Sequence, residues 1–171
     1  MSEGLPGIVI SDANVLIDYC LTNRTILRLV TKHLWAIRVP RPIVDEVEQL
    51  NDQTARSLGL VIVDPDIEDL AESVHRSGRL SREDKLCFVM ARRHGWACWT
   101  NDTGLRRICD EEGIAVHWGM EAMILLHHSG RLLRAEAVRT ATAIHKINGQ
   151  HVTRQILDRF IAKLEGNPHD V

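Results

Sequence analysis

Four acidic side chains occupy positions from which a folded chain brings carboxylates to one edge. Asp12 closes the apolar run GIVISD, and Glu46 follows Pro42 in PIVDEV. Asp84 follows Ser81 in SRED, and Asp102 follows the run ACWT in WTNDTGLRR. Packed together without a cation, four carboxylates would push each other's pKa values apart and cost stability. Around a hard divalent ion the same set is favourable, because Mg2+ takes oxygen ligands and is held by one or two carboxylates plus substrate phosphates. Two such ions about 3.5–4 Å apart activate the attacking water and stabilise the leaving oxygen of an in-line phosphodiester displacement. That chemistry needs no serine, cysteine or histidine nucleophile. Each acid also has a structural reading. Ser81 and Asp84 resemble a capping box, Asp102 an N-cap, and Glu46 a surface helix residue beside Asp45 and Glu48. Asp12 is the exception, since a carboxylate ending an apolar strand must face a partner or a ligand.

The elements that must position these acids follow from periodicity. Short apolar runs predict strands at 7–12, 35–40, 60–64, 97–100 and 114–118. Helical patterns lie between them: ANVLIDYCL, PIVDEVEQL with Pro42 as its first residue, IEDLAESVHR behind the cap Asp66, REDKLCFVMARRH from Ser81 to the stop at Gly95, and LRRICDEEG. From Met120 the pattern is helical throughout, in MEAMILLHHSG, AEAVRTATAIHKI and a segment opening at Thr153. Alternation of strand and helix predicts an α/β, three-layer α/β/α fold with a mostly parallel five-stranded sheet and a helical C-terminal extension. The expected organisation is a core over 1–118, the extension over 119–165 packed on the same domain, and a loose tail over 166–171. In such sheets ligands bind outside the carboxyl ends of the strands, at the switch point of strand order. Asp12 and Asp102 fall at that edge directly; Glu46 and Asp84 are carried there by their helices.

Bulk properties bound the class. With 171 residues, 44% hydrophobic and 26% charged, the chain suits one compact domain. No apolar window is long enough to span a membrane, MSEGLPG lacks the features of a signal peptide, and a cytoplasmic protein is expected. Cys20, Cys87, Cys98 and Cys109 show no metal-like spacing and are expected as small buried apolar residues. The net charge of -2 supplies no global basic field for nucleic acid. Local clustering partly offsets this: arginines at 76, 79, 82, 92, 93, 106 and 107, with Lys85, fall in the stretches flanking Asp84 and Asp102.

ISDANVLID, PIVDEV and LSREDKLCFVMARRHGWACWTNDTGLRR, in that order, resemble the PIN-domain nucleases, including the toxin members of toxin–antitoxin pairs. The resemblance covers roughly residues 8–118, and the last helices resemble the tail of a less studied PIN-like subfamily. It implies a Mg2+- or Mn2+-dependent endoribonuclease acting on RNA, often a homodimer, held inactive in the toxin branch by a small antitoxin. Carried over residue by residue, it makes Asp12, Glu46 and Asp84 metal ligands, with Asp102 completing the site or holding a second ion. Asn14 and Thr100 then orient carboxylates by hydrogen bonds. Lys85, Arg106 and Arg107 are candidates for contacts to substrate phosphates.

Two other classes compete. A phosphoryl hydrolase on a dehalogenase-like scaffold also places an aspartate after its first strand, but wants a second aspartate where Asn14 stands. A non-catalytic PIN-like binding or assembly module has no need of mutually repelling carboxylates. No G-x-x-x-x-G-K or G-x-G-x-x-G occurs, so no nucleotide cofactor is expected. Asp18 is expected to be exposed, and Asp64, Asp66, Glu68 and Asp69 to serve capping and solvent contact. His127 and His128, being adjacent, do not make a metal pair, and the four tryptophans are expected mainly in the core.

Overall fold

The computed structural model describes residues 7–166. β1 (Gly7–Ser11) runs into α1 (Ala13–Thr22) with Asp12 as the cap between them. α2 (Arg24–His33) follows under the cap Asn23, then β2 (Trp35–Pro40). Two short helices, α3 (Arg41–Glu46) and α4 (Asp52–Ser57), precede β3 (Val61–Val63). Next come α5 (Ile67–His75), α6 (Arg82–His94), β4 (Ala97–Trp99), α7 (Thr103–Glu111) and β5 (Val116–His117). α8 (Glu121–His128), α9 (Arg134–Ile147) and α10 (Arg154–Glu165) complete the chain.

The five strands form one sheet, parallel at every pairing, in the order β3-β2-β1-β4-β5. The fold is therefore the expected three-layer α/β/α type, with the sheet wholly rather than mostly parallel. α5, α6 and α7 pack as one group, while α1, α2, α8, α9 and α10 form another. One hydrophobic cluster joins β-strand residues such as Ile10 and Ile37 to Met123, Ile144 and Phe160 of the last three helices. The chain leaves β1 towards β2 and later returns to β4 on β1's other side, so the switch point lies between β1 and β4. Ser11 pairs with Trp99, which brings Asp12 and Thr100 out of the sheet side by side.

Several expectations need correction. PIVDEVEQL is not one helix: α3 starts at Arg41, puts Pro42 second and ends at Glu46. Val47 leaves it with extended backbone (φ -86, ψ 100) and buries its β-branched side chain, and Asn51 then caps α4. α2 is a helix that the pattern reading did not separate. The fifth strand shrinks from 114–118 to two residues. All four cysteines are buried and free, as expected. No helix among the described residues is long and apolar enough to cross a membrane. The N-terminal six residues and the tail beyond Gly166 lie outside the described residues.

A buried polar knot clamps the loops beyond β4 and β5. The Gly119 amide donates to Asn101 Oδ1 at 2.9 Å, and its carbonyl accepts from Tyr19 Oη at 2.7 Å and Trp99 Nε1 at 3.2 Å. A Cβ at position 119 would lie 2.5 Å from Asn101 Nδ2. Gly119→Ala is therefore expected to lower unfolding stability by about 1–3 kcal/mol, measured by urea denaturation.

Candidate metal centre

Asp12 is the anchor of the acidic group. It is only 1% exposed. Its Oδ1 accepts from the Val15 amide at 3.0 Å, the first free N–H groups of α1 being natural donors to a cap. Its Oδ2 accepts a short hydrogen bond from the Thr100 hydroxyl. Burial pushes its pKa up from 3.8 to about 7. The bonds from Thr100 and Val15 oppose that rise, and the charges of Asp84 and Asp102 add to it.

Thr100 is fully buried and works in two directions, because its hydroxyl also accepts from the Asp102 amide at 3.0 Å. Asp102 in turn caps α7, with Oδ1 accepting from the Leu105 amide at 2.7 Å. The cap reading of Asp102 thus holds, and its charge is also felt at Asp12 and Asp84. Asp84 is the third residue of α6. The Ser81 hydroxyl accepts from the Asp84 amide at 3.0 Å and donates to Asp84 Oδ2 at 2.8 Å. A full capping box would return the acid to the Ser81 backbone; the short aspartate stops at the hydroxyl. Burial, followed by Asp102 and Glu83, raises the Asp84 pKa, against the Ser81 bond.

Glu46 ends α3 and is exposed. Partial desolvation, then Glu83 and Asp84, raises its pKa, so Glu46 faces the other acids. Asp84 and Asp102 line a cleft of about 410 Å³ with Ser81, Gly104, Arg107 and Ile108. Among the described residues no lysine, arginine or histidine forms an ion pair with Asp12, Glu46, Asp84 or Asp102, whereas Asp52, Asp66, Asp69, Glu72 and Glu121 each have one.

The remaining expected site residues separate. Thr100 orients Asp12 directly. Asn14 is exposed on α1, and among the described residues its side chain makes no hydrogen bond to the acids. Arg107 lies in the acidic cleft, but its neighbour Arg106 points a helical step away into a groove with Trp118 and Lys163. Lys85 lines a third surface, beside Val74 and Arg82. Only Arg107 of the three is placed for a phosphate at the acids.

Asp18 is the clearest correction. It is buried, not exposed, because Asn148 at the end of α9 donates to both its oxygens at 3.0 and 3.2 Å and Asn101 donates at 3.4 Å. Burial raises its pKa to about 6; the bond from Asn148, the charge of His151 and the bond from Asn101 act the other way. Asn101 thereby holds the loop between Thr100 and Asp102, a positioning role that sequence reading missed. Asp69 is likewise buried rather than solvent-facing, in an ion pair with Arg93. Among the described residues, the one group of three ligand-type side chains within 4.8 Å of one another is Asp66, Asp69 and His94, and the Arg93 guanidinium already neutralises it. The quartet is more open: its carboxylates share a field without that close contact.

No protein-family model matches this chain, and no curated protein matches it.

Because the folded state raises the Asp12 pKa above its unfolded value, Asp12 costs stability once it ionises. That contribution is intact below about pH 4 and lost as pH rises through about 7. In chelator, Asp12→Asn is therefore expected to melt several degrees above the natural protein at about pH 8, on the order of 2–4 °C per kcal/mol, with the gap closing towards about pH 4.

Proposed function

We propose that this chain is a divalent-metal-dependent endoribonuclease of the PIN-domain type. The observation that carries the reading is the set of acids at the β1/β4 switch point that raise one another's pKa and have no ion-pair partner among the described residues. An all-carboxylate, oxygen-only donor set without a resident cationic side chain fits Mg2+ or Mn2+. Asp12, Asp84 and Asp102 would hold the ion, with Glu46 at the rim. Bound there, the ion supplies Lewis-acid polarisation of the phosphodiester and a water of lowered pKa.

The chain's own residues supply the rest. The Thr100 hydroxyl and the Val15 amide fix the two oxygens of Asp12, so its orientation costs no rearrangement when a cation arrives. Ser81 does the same for Asp84. Arg107, 75% exposed along its side chain and paired only loosely with Glu111 at 3.7 Å, can swing onto a phosphate of a strand lying in the cleft. RNA is the substrate on the strength of the resemblance in ISDANVLID, PIVDEV and WTNDTGLRR. On the same reading the protein is a cytoplasmic toxin of a toxin–antitoxin pair, and its inhibitor is a small protein occupying the cleft.

Purified protein is expected to cleave RNA only with Mg2+ or Mn2+ present, and chelator stops cleavage. Asp12→Asn, Asp84→Asn and Asp102→Asn are each expected to drop cleavage to background with circular dichroism unchanged. Thr100→Val, which removes the hydroxyl but keeps the shape, is expected to cost about 10–100-fold in activity. Cleavage that survives chelation and these substitutions would overturn the reading.

A further inference from the structure

α5 is packed inside out. Its apolar residues Ile67, Leu70, Ala71 and Val74 recur at i, i+3, i+4 and i+7, the spacing of a helix stripe meant for burial. All four are exposed, with Ile67 at 84%, Val74 at 66% and Leu70 at 38%. The face turned to the protein is polar instead. Asp69 and Ser73 are the buried residues, Asp69 pairs with Arg93, Glu72 pairs with Arg92, and the Arg76 guanidinium lies 3.9 Å over the Phe88 ring. These contacts fix the rotation of the helix on α6. The stripe cannot turn inward without leaving Asp69 and Arg93 unpaired, which is the costlier arrangement.

A contiguous apolar stripe held out to water by ion pairs marks an interaction surface. The charges around it say which partner fits. The N-terminal end of α5 carries Asp64, Asp66 and Glu68, with Glu68 81% exposed along its side chain. Beyond the C-terminal end stand His75, Arg79, Arg82 and Lys85, none with an acidic ion-pair partner among the described residues. Arg82 and Lys85 wall a groove of about 430 Å³ next to Val74 and Ser73. An acidic end and a basic end on one apolar stripe are self-complementary under a twofold axis that runs the two helices antiparallel. Parallel pairing would set like charges together.

We propose that α5 is the seam of a homodimer, in which the stripes of two copies of this chain pack antiparallel about an axis near Leu70 and Ala71. Ile67 of one copy then faces Val74 of the other, and the acidic end of each helix meets the basic end of its partner. The seam is separate from the acids at the sheet edge, so it stands or falls independently of metal-dependent cleavage.

Sedimentation equilibrium of the full chain, at concentrations on the order of tens of micromolar, is the test. A species of twice 19.4 kDa is expected for the natural protein. Ile67→Lys and Val74→Lys, both at exposed positions, are each expected to give a folded 19.4 kDa monomer with an unchanged far-ultraviolet spectrum. Ala71→Cys is expected to crosslink to itself with a short bis-maleimide, since the native cysteines are buried. A natural protein that is monomeric, meaning that another partner covers the stripe, would overturn the proposal. So would a dimer that both lysine variants leave intact. A dimer in which Ala71→Cys does not crosslink would overturn the antiparallel seam.

Discussion

The hydroxyl of Thr100 ties together the two strand ends on which the acidic centre depends. It donates to Asp12 behind β1 and accepts from the Asp102 amide at the start of α7. The parallel pairing of Ser11 with Trp99 is what brings the three residues within reach. Without that bridge, Asp12 would be a buried carboxylate with a single amide donor, and its desolvation would go largely uncompensated. With it, the carboxylate is held in one orientation while its pKa stays high. A site built this way resists folding at alkaline pH and is relieved by a cation.

The contrast between the two acidic clusters follows from the same reasoning. Asp66, Asp69 and His94 are closer together than the quartet, yet Arg93 is supplied with them, and the group acts as mortar between α5 and α6. At the sheet edge the chain provides serine and threonine hydroxyls and helix amides, groups that hold carboxylates without neutralising them. Proximity alone would select the wrong cluster. The missing countercharge separates a structural ion-pair network from a place for a metal.

Much of this was legible in the chain itself. Runs such as GIVIS, WAIRVP and LVIVD announce parallel strands because they are β-branched on both faces, and Ser81, Asp66, Asp102 and Gly95 punctuate the helices as caps and stops. Asp12, Thr100 and Asp102 were locatable because strand ends locate them. Long-range partners were not: Asp18 lies 130 residues from Asn148 and 83 from Asn101, and nothing local distinguishes it from a surface acid. The end of α3 at Glu46 depends on Val47 finding a core pocket, which periodicity does not register. α5 misleads for a related reason. Its apolar spacing is that of a buried helix, and only the tertiary pairs with Arg92 and Arg93 reveal that the stripe faces outward.

Calorimetric titration of the metal-free protein with Mn2+, repeated at about pH 6, 7 and 8, tests the centre most directly. The ion must displace the proton that burial keeps on Asp12, so binding should release protons near pH 7, tighten as pH rises, and weaken strongly in Asp12→Asn. Absence of binding in the natural protein, or equal affinity in the natural protein and Asp12→Asn, would contradict a metal site at these carboxylates.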